Sequence, residues 1–151
     1  MTQTEKELLL KELCMRLPHG VNVATPFGTG LLTSVRLNNS VEKIGVNNDP
    51  VLIRMFSAND VKPYLFPLSS MTEEQFEELK AFADLTYEGN TLELVEWDST
   101  CDKTLEFWLE EIPSYCVIKV FDWLNKNHFD YRGLIPMGLA NDATGKNIYK
   151  L

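Results

Sequence analysis

The sequence predicts an α+β fold: an N-terminal helix, a small antiparallel SH3-like barrel or meander, and then a helix, strands and a C-terminal helix. Apolar residues recur at helical spacing in residues 4–16 and again within residues 72–127. Between them, residues 21–56 hold four short apolar segments separated by turns rich in Asn, Gly and Pro, which is typical of antiparallel strands. We divide the chain into residues 1–68 and 69–151, two parts that share one core or form a single domain.

The first helix is predicted over residues 4–16. Thr4 and Glu7 have the spacing of a capping box, in which a hydroxyl and a carboxylate each accept a hydrogen bond from a backbone N–H. Pro18 cannot continue the helix, and Gly20 tolerates the reversal that follows. The predicted buried stripe consists of leucines at one-face spacing: Leu9, Leu10, Leu13 and Leu17.

After the first helix, the pattern indicates strands and then an extended connector. Residues 57–61 are expected to form one short helical turn. Residues 62–70 hold two prolines, which disfavour helix at the residues before them, and several apolar side chains. We therefore expect this connector to be extended and packed against the barrel. The predicted strands cover residues 21–25, 31–37, 41–46 and 51–56.

The second part of the chain predicts two helices and further strands. The second helix runs from Thr72 to about Leu85, with Thr72 and Gln75 at capping-box spacing. A strand is predicted over residues 91–97, whereas residues 103–112 fit a strand or a short helix.

Ser114 is the predicted cap of the third helix, which covers residues 115–127. Residues 141–151 carry few apolar anchors and are expected to fray.

The net charge of −8 is unevenly distributed. Residues 1–68 have a net charge of +1, and residues 69–151 have a net charge of −9. A nucleic-acid-binding surface needs clustered positive charge, so the second part has the wrong sign. The first part is close to neutral and leaves room for a small basic face. Its candidate phosphate contacts are Arg36, Lys43, Arg54 and Lys62.

The composition indicates a cytoplasmic protein. The polar, acidic N-terminus does not resemble a secretory signal, and no apolar run approaches the length of a membrane span. Cys14, Cys101 and Cys116 are odd in number and far apart, which favours reduced thiols over disulfides or a zinc site. We expect no cofactor and no metal.

His128, Asp130, Tyr131 and Arg132 form the most chemically varied cluster in the chain. A histidine oriented by an aspartate could serve acid–base chemistry. The structural interpretation, a helix exit whose aromatic rings dock on the core, is favoured. Cys116 and His128 are too loosely related in sequence to predict a thiol–imidazole pair. No catalytic residue is assigned, and we favour a protein without enzymatic activity.

Two segments carry a resemblance. Residues 62–74 read KPYLFPLSSMTEE and residues 122–135 read DWLNKNHFDYRGLI. Both resemble segments of small uncharacterised proteins of Bacteroides-type gut bacteria and of their prophages and mobile elements. The resemblance implies no activity, cofactor or catalytic residue. Phe66 stands where that pattern has Arg, which removes a basic contact from the connector.

The first hypothesis is therefore a non-enzymatic protein-binding module of phage or mobile-element type. Its partner would be another protein, and the acidic surface would attract a basic one. One alternative is a nucleic-acid-associated regulator that uses the barrel face, or an acidic nucleic-acid mimic that uses residues 73–111. The other is an enzyme around His128, Asp130 and Tyr131. The oligomeric state is left open. The candidate interaction residues are Trp97, Trp108, Tyr64, Phe66, His128, Asp130, Tyr131 and Arg132.

Overall fold

The computed structural model describes residues 1–38, 41–49, 51–83 and 114–149. The described residues form a mixed α+β structure. The helices are α1 (Gln3–Arg16), α2 (Glu73–Phe82) and α3 (Ser114–Lys126). The strands are β1 (Asn22–Thr25), β2 (Gly28–Asn38), β3 (Val41–Asp49), β4 (Leu52–Phe56), β5 (Lys62–Pro67), β6 (Phe129–Asp130) and β7 (Asn141–Asp142).

The chain divides into two compact units. The first contains residues 1–65 and 132–151, and the second contains residues 66–131. The chain leaves the first unit within β5 and returns to it directly after β6. The elements predicted over residues 91–97 and 103–112 lie outside the described residues.

Helix α1 begins two residues after the start of the chain. Its cap is Thr2, whose Oγ1 accepts a hydrogen bond of 3.1 Å from the backbone N–H of Glu5, while Glu5 accepts one of 2.7 Å from the N–H of Thr2. The prediction of a capping box at Thr4 and Glu7 was therefore wrong. Thr2 and Glu5 have the same spacing two residues earlier, and they place Thr4 inside the first turn.

The first unit contains an antiparallel meander in the order β4-β3-β2-β1, to which β5 is added beside β1. The four strands predicted over residues 21–56 are confirmed, although β2 and β3 are longer than predicted. Thr25 pairs with Gly28, so the turn between β1 and β2 shortens to two residues. The extended connector predicted over residues 62–70 is confirmed for residues 62–67, which form β5, whereas Leu68–Ser70 form a short 3-10 helix. The sheet is not closed over the described residues, so the SH3-like barrel is not confirmed.

The core of the first unit lies between α1 and the sheet. Leu9 and Leu13 of α1 are fully buried, as the predicted stripe requires, and they belong to one cluster with Val23 and Ile44 of the sheet. Leu134 joins the same cluster from the C-terminal segment. The burial of these side chains removes apolar surface from water and supplies the main stabilisation of the unit.

The C-terminal segment is anchored to the first unit. β7 pairs with β5 in parallel. Tyr149 Oη donates a hydrogen bond of 2.7 Å to the backbone oxygen of Tyr64 and accepts one of 3.1 Å from the N–H of Asn22. Burial raises the pKa of Tyr149. The prediction that this segment frays was wrong for residues 141–149. The pairing of β7 with β5 and the side chain of Tyr149 anchor the segment although it has few apolar residues.

The second unit has a separate apolar cluster between α2 and α3. Phe76 and Leu79 of α2 are buried there with Val120 and Leu124 of α3. The third helix is confirmed.

The capping box predicted for α2 is also confirmed. Thr72 Oγ1 accepts a hydrogen bond of 3.2 Å from the backbone N–H of Gln75, and Gln75 Oε1 accepts one of 2.9 Å from the backbone N–H of Thr72.

Lys6→Met is expected to lower the free energy of unfolding at pH 7 by about 0.5–1 kcal/mol. Lys6 Nζ lies 2.8 Å from Glu42 Oε2, and this contact holds the pKa of Glu42 below its usual value of 4.5. A lowered carboxylate pKa stabilises the folded state above the unfolded-state pKa, and this stabilisation is lost as the pH falls through the folded-state pKa.

Urea unfolding of Lys6→Met and wild type at several pH values checks this prediction. The difference between their free energies of unfolding should shrink towards zero in acid. Lys11→Met, an exposed position on the same helix, is the control and should change stability little at any pH. A Lys6→Met effect that stays constant down to pH 2 would contradict the assignment.

Candidate functional site

Strand β4 lies at one edge of the sheet in the first unit. It pairs with β3, and no other strand within the described ranges borders it. Leu52, Ile53 and Met55 are 54%, 60% and 44% exposed. An edge strand presents backbone N–H and C=O groups without a ladder partner, which favours pairing with another chain. Over the described residues, β4 therefore combines an unpaired backbone edge with exposed apolar side chains.

The register of β4 on β3 assigns its side chains to two faces. Phe56 lies opposite Ile44, and both are buried in the core. Side chains alternate along a strand, so Met55 and Ile53 lie on the other face, which we call the outer face. Leu52 and Arg54 lie on the same side as Phe56. The outer face of β4 is thus entirely apolar within the strand.

Gly45 of β3 lies beneath Ile53 on this outer face. A Cβ atom at Gly45 would come within 3.4 Å of Ile53 Cγ2 and 3.0 Å of Thr33 Oγ1, and would also collide with Ser34 Oγ. Neighbouring side chains therefore occupy the space that a side chain at this position would need. The close approach positions Ile53 against the sheet while leaving it 60% exposed.

Three of the four candidate phosphate contacts lie on the outer face. Arg36 pairs with Lys43, one position along from the core-facing pair of Val35 and Ile44, and both basic side chains are exposed. Lys62 is also outward, because the adjacent Pro63 faces the core. Arg36 and Lys43 therefore form a small basic region beside the apolar part of the outer face. Lys62 lies apart from it, because its register places it level with Thr29, seven residues from Arg36 along β2.

Arg54 lies on the opposite side of β4. Its guanidinium carbon is 4.2 Å from the centre of the Phe27 ring, and that ring is 6.0 Å from the ring of Phe56. Phe27 is itself exposed. The contact is a cation–π stack, which keeps Arg54 away from the basic region of the outer face.

Tyr64 and Phe66, both predicted as interaction residues, are half-buried in β5. Tyr64 belongs to the first unit, and its ring lies 5.7 Å from Lys146 Nζ. Phe66 belongs to the second unit, where its ring centre is 6.1 Å from that of Phe129. Trp97 and Trp108, also predicted as interaction residues, lie outside the described residues.

His128, Asp130 and Tyr131 lie in the second unit. His128 and Asp130 are more than nine-tenths buried, and His128 has a left-handed backbone with φ of +63° at the end of α3. The backbone oxygen of His128 accepts a hydrogen bond of 2.8 Å from the N–H of Phe66. Tyr131 Oη donates one of 3.0 Å to Asn125 Oδ1. These contacts hold the chain where it leaves the helix.

Arg132 belongs to the first unit, whereas His128, Asp130 and Tyr131 belong to the second. Arg132 Nε is 2.8 Å from Glu12 Oε1, and the other oxygen of Glu12 accepts a hydrogen bond of 3.0 Å from Arg16 Nε. Glu12 and Arg16 have no solvent exposure. This network ties the returning chain to α1. It was not predicted, because Glu12 and Arg16 have the spacing of an ordinary exposed pair on a helix.

The two units differ sharply in charge. The first contains ten Lys and Arg against seven Asp and Glu, and the second contains four against fifteen, which gives net charges of +3 and −11. Four exposed glutamates of α2 contribute part of the negative charge of the second unit: Glu73, Glu74, Glu77 and Glu78. The edge strand β4 thus belongs to the less charged unit.

No described helix is long and apolar enough to cross a membrane. Within the described ranges, no three His, Cys, Asp or Glu side chains are grouped as a metal site would require. Comparisons of the chain with family models, with curated proteins and with solved structures give no match. The candidate functional site is the edge of β4 with the outer face beside it, because Leu52, Ile53 and Met55 are exposed on a strand edge that no described strand covers.

Proposed function

We propose that the protein is a non-enzymatic binding module that binds another protein chain through the edge of β4 that no described strand covers. The observation that carries this proposal is the exposure of Leu52, Ile53 and Met55 on an edge strand. Proteins usually protect such edges with charges, prolines or covering elements. β4 has a single charged residue, Arg54, which is stacked on Phe27.

A cytoplasmic location belongs to the same proposal. Cys14 and Cys116 are free thiols, and Cys14 is exposed. Exposed free thiols are typical of reducing compartments. The strongly acidic second unit would increase the association rate with a basic partner through long-range attraction. Apolar contacts and backbone pairing at β4 would supply the affinity.

Photo-crosslinking tests the proposal. We would replace Met55, on the outer face of β4, with p-benzoylphenylalanine and irradiate the full chain in a native lysate. The expected result is a discrete crosslinked adduct, which disappears when Ile53→Lys is added to the same chain. The lysine would place a charge in the apolar contact that the proposal requires.

Ile118 of α3 provides the matched control, because it is 65% exposed and lies in the second unit. The same photo-reactive residue at position 118 should give no discrete adduct. The absence of an adduct from position 55, or equal adducts from both positions, would overturn the proposed function.

A second candidate function is nucleic-acid binding through the basic region of the outer face. The specific observation is that Arg36 and Lys43 lie directly opposite each other in the sheet and are both exposed. Like charges in this arrangement destabilise strand pairing, and a bound phosphate would remove the repulsion. Lys62 lies on the same face of the sheet.

Titration of labelled single-stranded DNA and RNA at low and high salt tests this second function. Salt-dependent binding should be lost in the double variant Arg36→Glu and Lys43→Glu. It should persist in the double variant Lys11→Glu and Lys126→Glu, which makes the same change of charge at exposed positions on α1 and α3. No binding by the wild-type chain at low salt would exclude the second function and leave the first intact.

A further inference from the structure

We infer that the outer face of the first unit binds single-stranded nucleic acid, which runs from the basic region at Arg36 and Lys43 to Lys62 on β5. This inference rests on the second candidate function and names its substrate class. Two features of the sheet support it. Charge is placed on one side only, and the surface between the two basic ends is uncharged and partly apolar.

The strands of the first unit separate positive from negative charge. Arg36, Lys43 and Lys62 are outward and exposed, and none of them has an ion pair within the described residues. The acidic residues of these strands each pair with a residue on the core side of the sheet: Glu42, Asp49 and Asp142. The other acidic residues of the unit lie in α1 and in the short helix Ala58–Asp60. The outer face is therefore positive in a chain whose net charge is −8.

The two basic ends are separated by the length of a short oligonucleotide. Lys62 is level with Thr29, because both pair with Ala24, and Thr29 precedes Arg36 by seven residues on β2. A strand rises about 3.3 Å per residue, which places the two ends roughly 20 Å apart along β2. Domains that hold single strands contact about 4–16 nucleotides. One strand of this length would reach both ends at once.

The surface between the basic ends offers contacts for unpaired bases. Leu31 is 41% exposed and outward, since it pairs with Asn22, the neighbour of the buried Val23. Tyr64 is outward on β5, and its Oη accepts a hydrogen bond of 3.4 Å from Thr29 Oγ1, so its ring extends across β1 towards β2. Unpaired bases stack on aromatic rings and pack on apolar side chains, whereas the bases of a duplex are already paired and stacked. These contacts therefore favour a single strand.

The net charge of the second unit opposes this binding. That unit has a net charge of −11, and salt screens its repulsion of phosphates beyond about 10 Å at 0.1 M. The affinity therefore depends on local contacts at the outer face. Three phosphate contacts on a single strand predict that the logarithm of the association constant falls with the logarithm of salt with a slope of about −2. Screening of the repulsion makes the slope shallower.

Fluorescence anisotropy of labelled DNA with the full chain at low salt tests the inference. Three probes have the same length of about 16 nucleotides: a single strand with bases, an abasic single strand and a duplex. The single strand with bases should bind roughly tenfold or more tightly than the other two, because only its bases reach the surface. Single-stranded RNA of this length should bind like the single-stranded DNA, because both present phosphates and bases.

Single substitutions test whether both ends and the ring contact the strand. Arg36→Glu and Lys62→Glu should each weaken binding of the single strand roughly tenfold. Lys11→Glu makes the same change of charge at an exposed position on α1 and should leave binding nearly unchanged. Tyr64→Leu should weaken binding of the strand with bases but not of the abasic strand, and Tyr64→Phe should retain the wild-type affinity, because it keeps the ring.

The outcomes separate the inference from the function on which it rests. Equal binding of all three probes, lost in the double variant Arg36→Glu and Lys43→Glu, overturns the inference and leaves the second function standing. Binding that Lys62→Glu does not weaken also overturns the inference. No binding of any probe by the wild-type chain excludes the second function together with the inference. A preference for the single strand with bases that Lys62→Glu and Tyr64→Leu both reduce supports the inference.

Discussion

Glu12→Gln is expected to lower the free energy of unfolding by about 3–5 kcal/mol. The fully buried Glu12 carboxylate faces two arginines, Arg16 on its own helix and Arg132 on the returning chain. The substitution removes the negative charge of the network and leaves the positive charges in place. Breaking a buried ion pair costs much more than losing an exposed one. Urea unfolding at pH 7 measures the effect.

Glu7→Gln is the matched control, because Glu7 is exposed on the same helix. Its expected effect is within about 0.5 kcal/mol. Arg132→Gln should cost less than Glu12→Gln, because the Arg132 side chain is 35% exposed and the Glu12–Arg16 pair remains. A loss below about 1 kcal/mol for Glu12→Gln would show that the network does not hold the returning chain to α1.

Phe129→Ala is expected to cost about 3–5 kcal/mol, since it removes a large side chain that is only 1% exposed. The Phe129 ring lies nearly parallel to that of Trp123, at 5.7 Å between centres, and also contacts Phe66. The substitution leaves a cavity beside both rings. Urea unfolding followed by tryptophan fluorescence measures the loss.

Phe82→Ala is the control for this change within the same unit. Phe82 is 44% exposed at the end of α2, so its removal should cost about 1 kcal/mol or less. Similar losses for both variants would contradict the assignment of Phe129 to the core of the second unit.

Local signals predicted most of the first unit and the start of α2 in the second. The buried stripe of α1, the four strands and the capping box of α2 each depend on residues close in sequence, where periodicity and turn chemistry are informative. The predicted position of the α1 cap was wrong because Thr2 and Glu5 match the capping-box motif as well as Thr4 and Glu7 do. Spacing alone does not decide between the two residue pairs.

Long-range contacts were not predicted. β7 has two residues, too few to show a strand period, and its pairing with β5 crosses more than seventy residues of sequence. The contact between Glu12 and Arg132 likewise joins residues that are far apart in sequence. Likewise, the cluster His128–Arg132 is contiguous in sequence, but its last residue belongs to a different compact unit from the others.

The candidate site also depends on contacts between residues that are far apart in sequence. The apolar run at residues 51–56 correctly predicted a strand, and such a run is typical of a buried one. In the structure this strand is at an edge, with three of its apolar side chains exposed. Strand order decides which strand is exposed, and strand order depends on pairings that a single sequence does not display.

The most direct test of the proposed function is amide hydrogen exchange along β4 of the full chain, alone and with the protein that the photo-reactive residue at position 55 captures. Binding at the edge of β4 predicts that amides within Leu52–Phe56 exchange more slowly when that protein is present, while those of β1 are unchanged. The Ile53→Lys chain should show no such slowing. Equal exchange along β4 of the wild-type chain with and without the captured protein would contradict the proposed function.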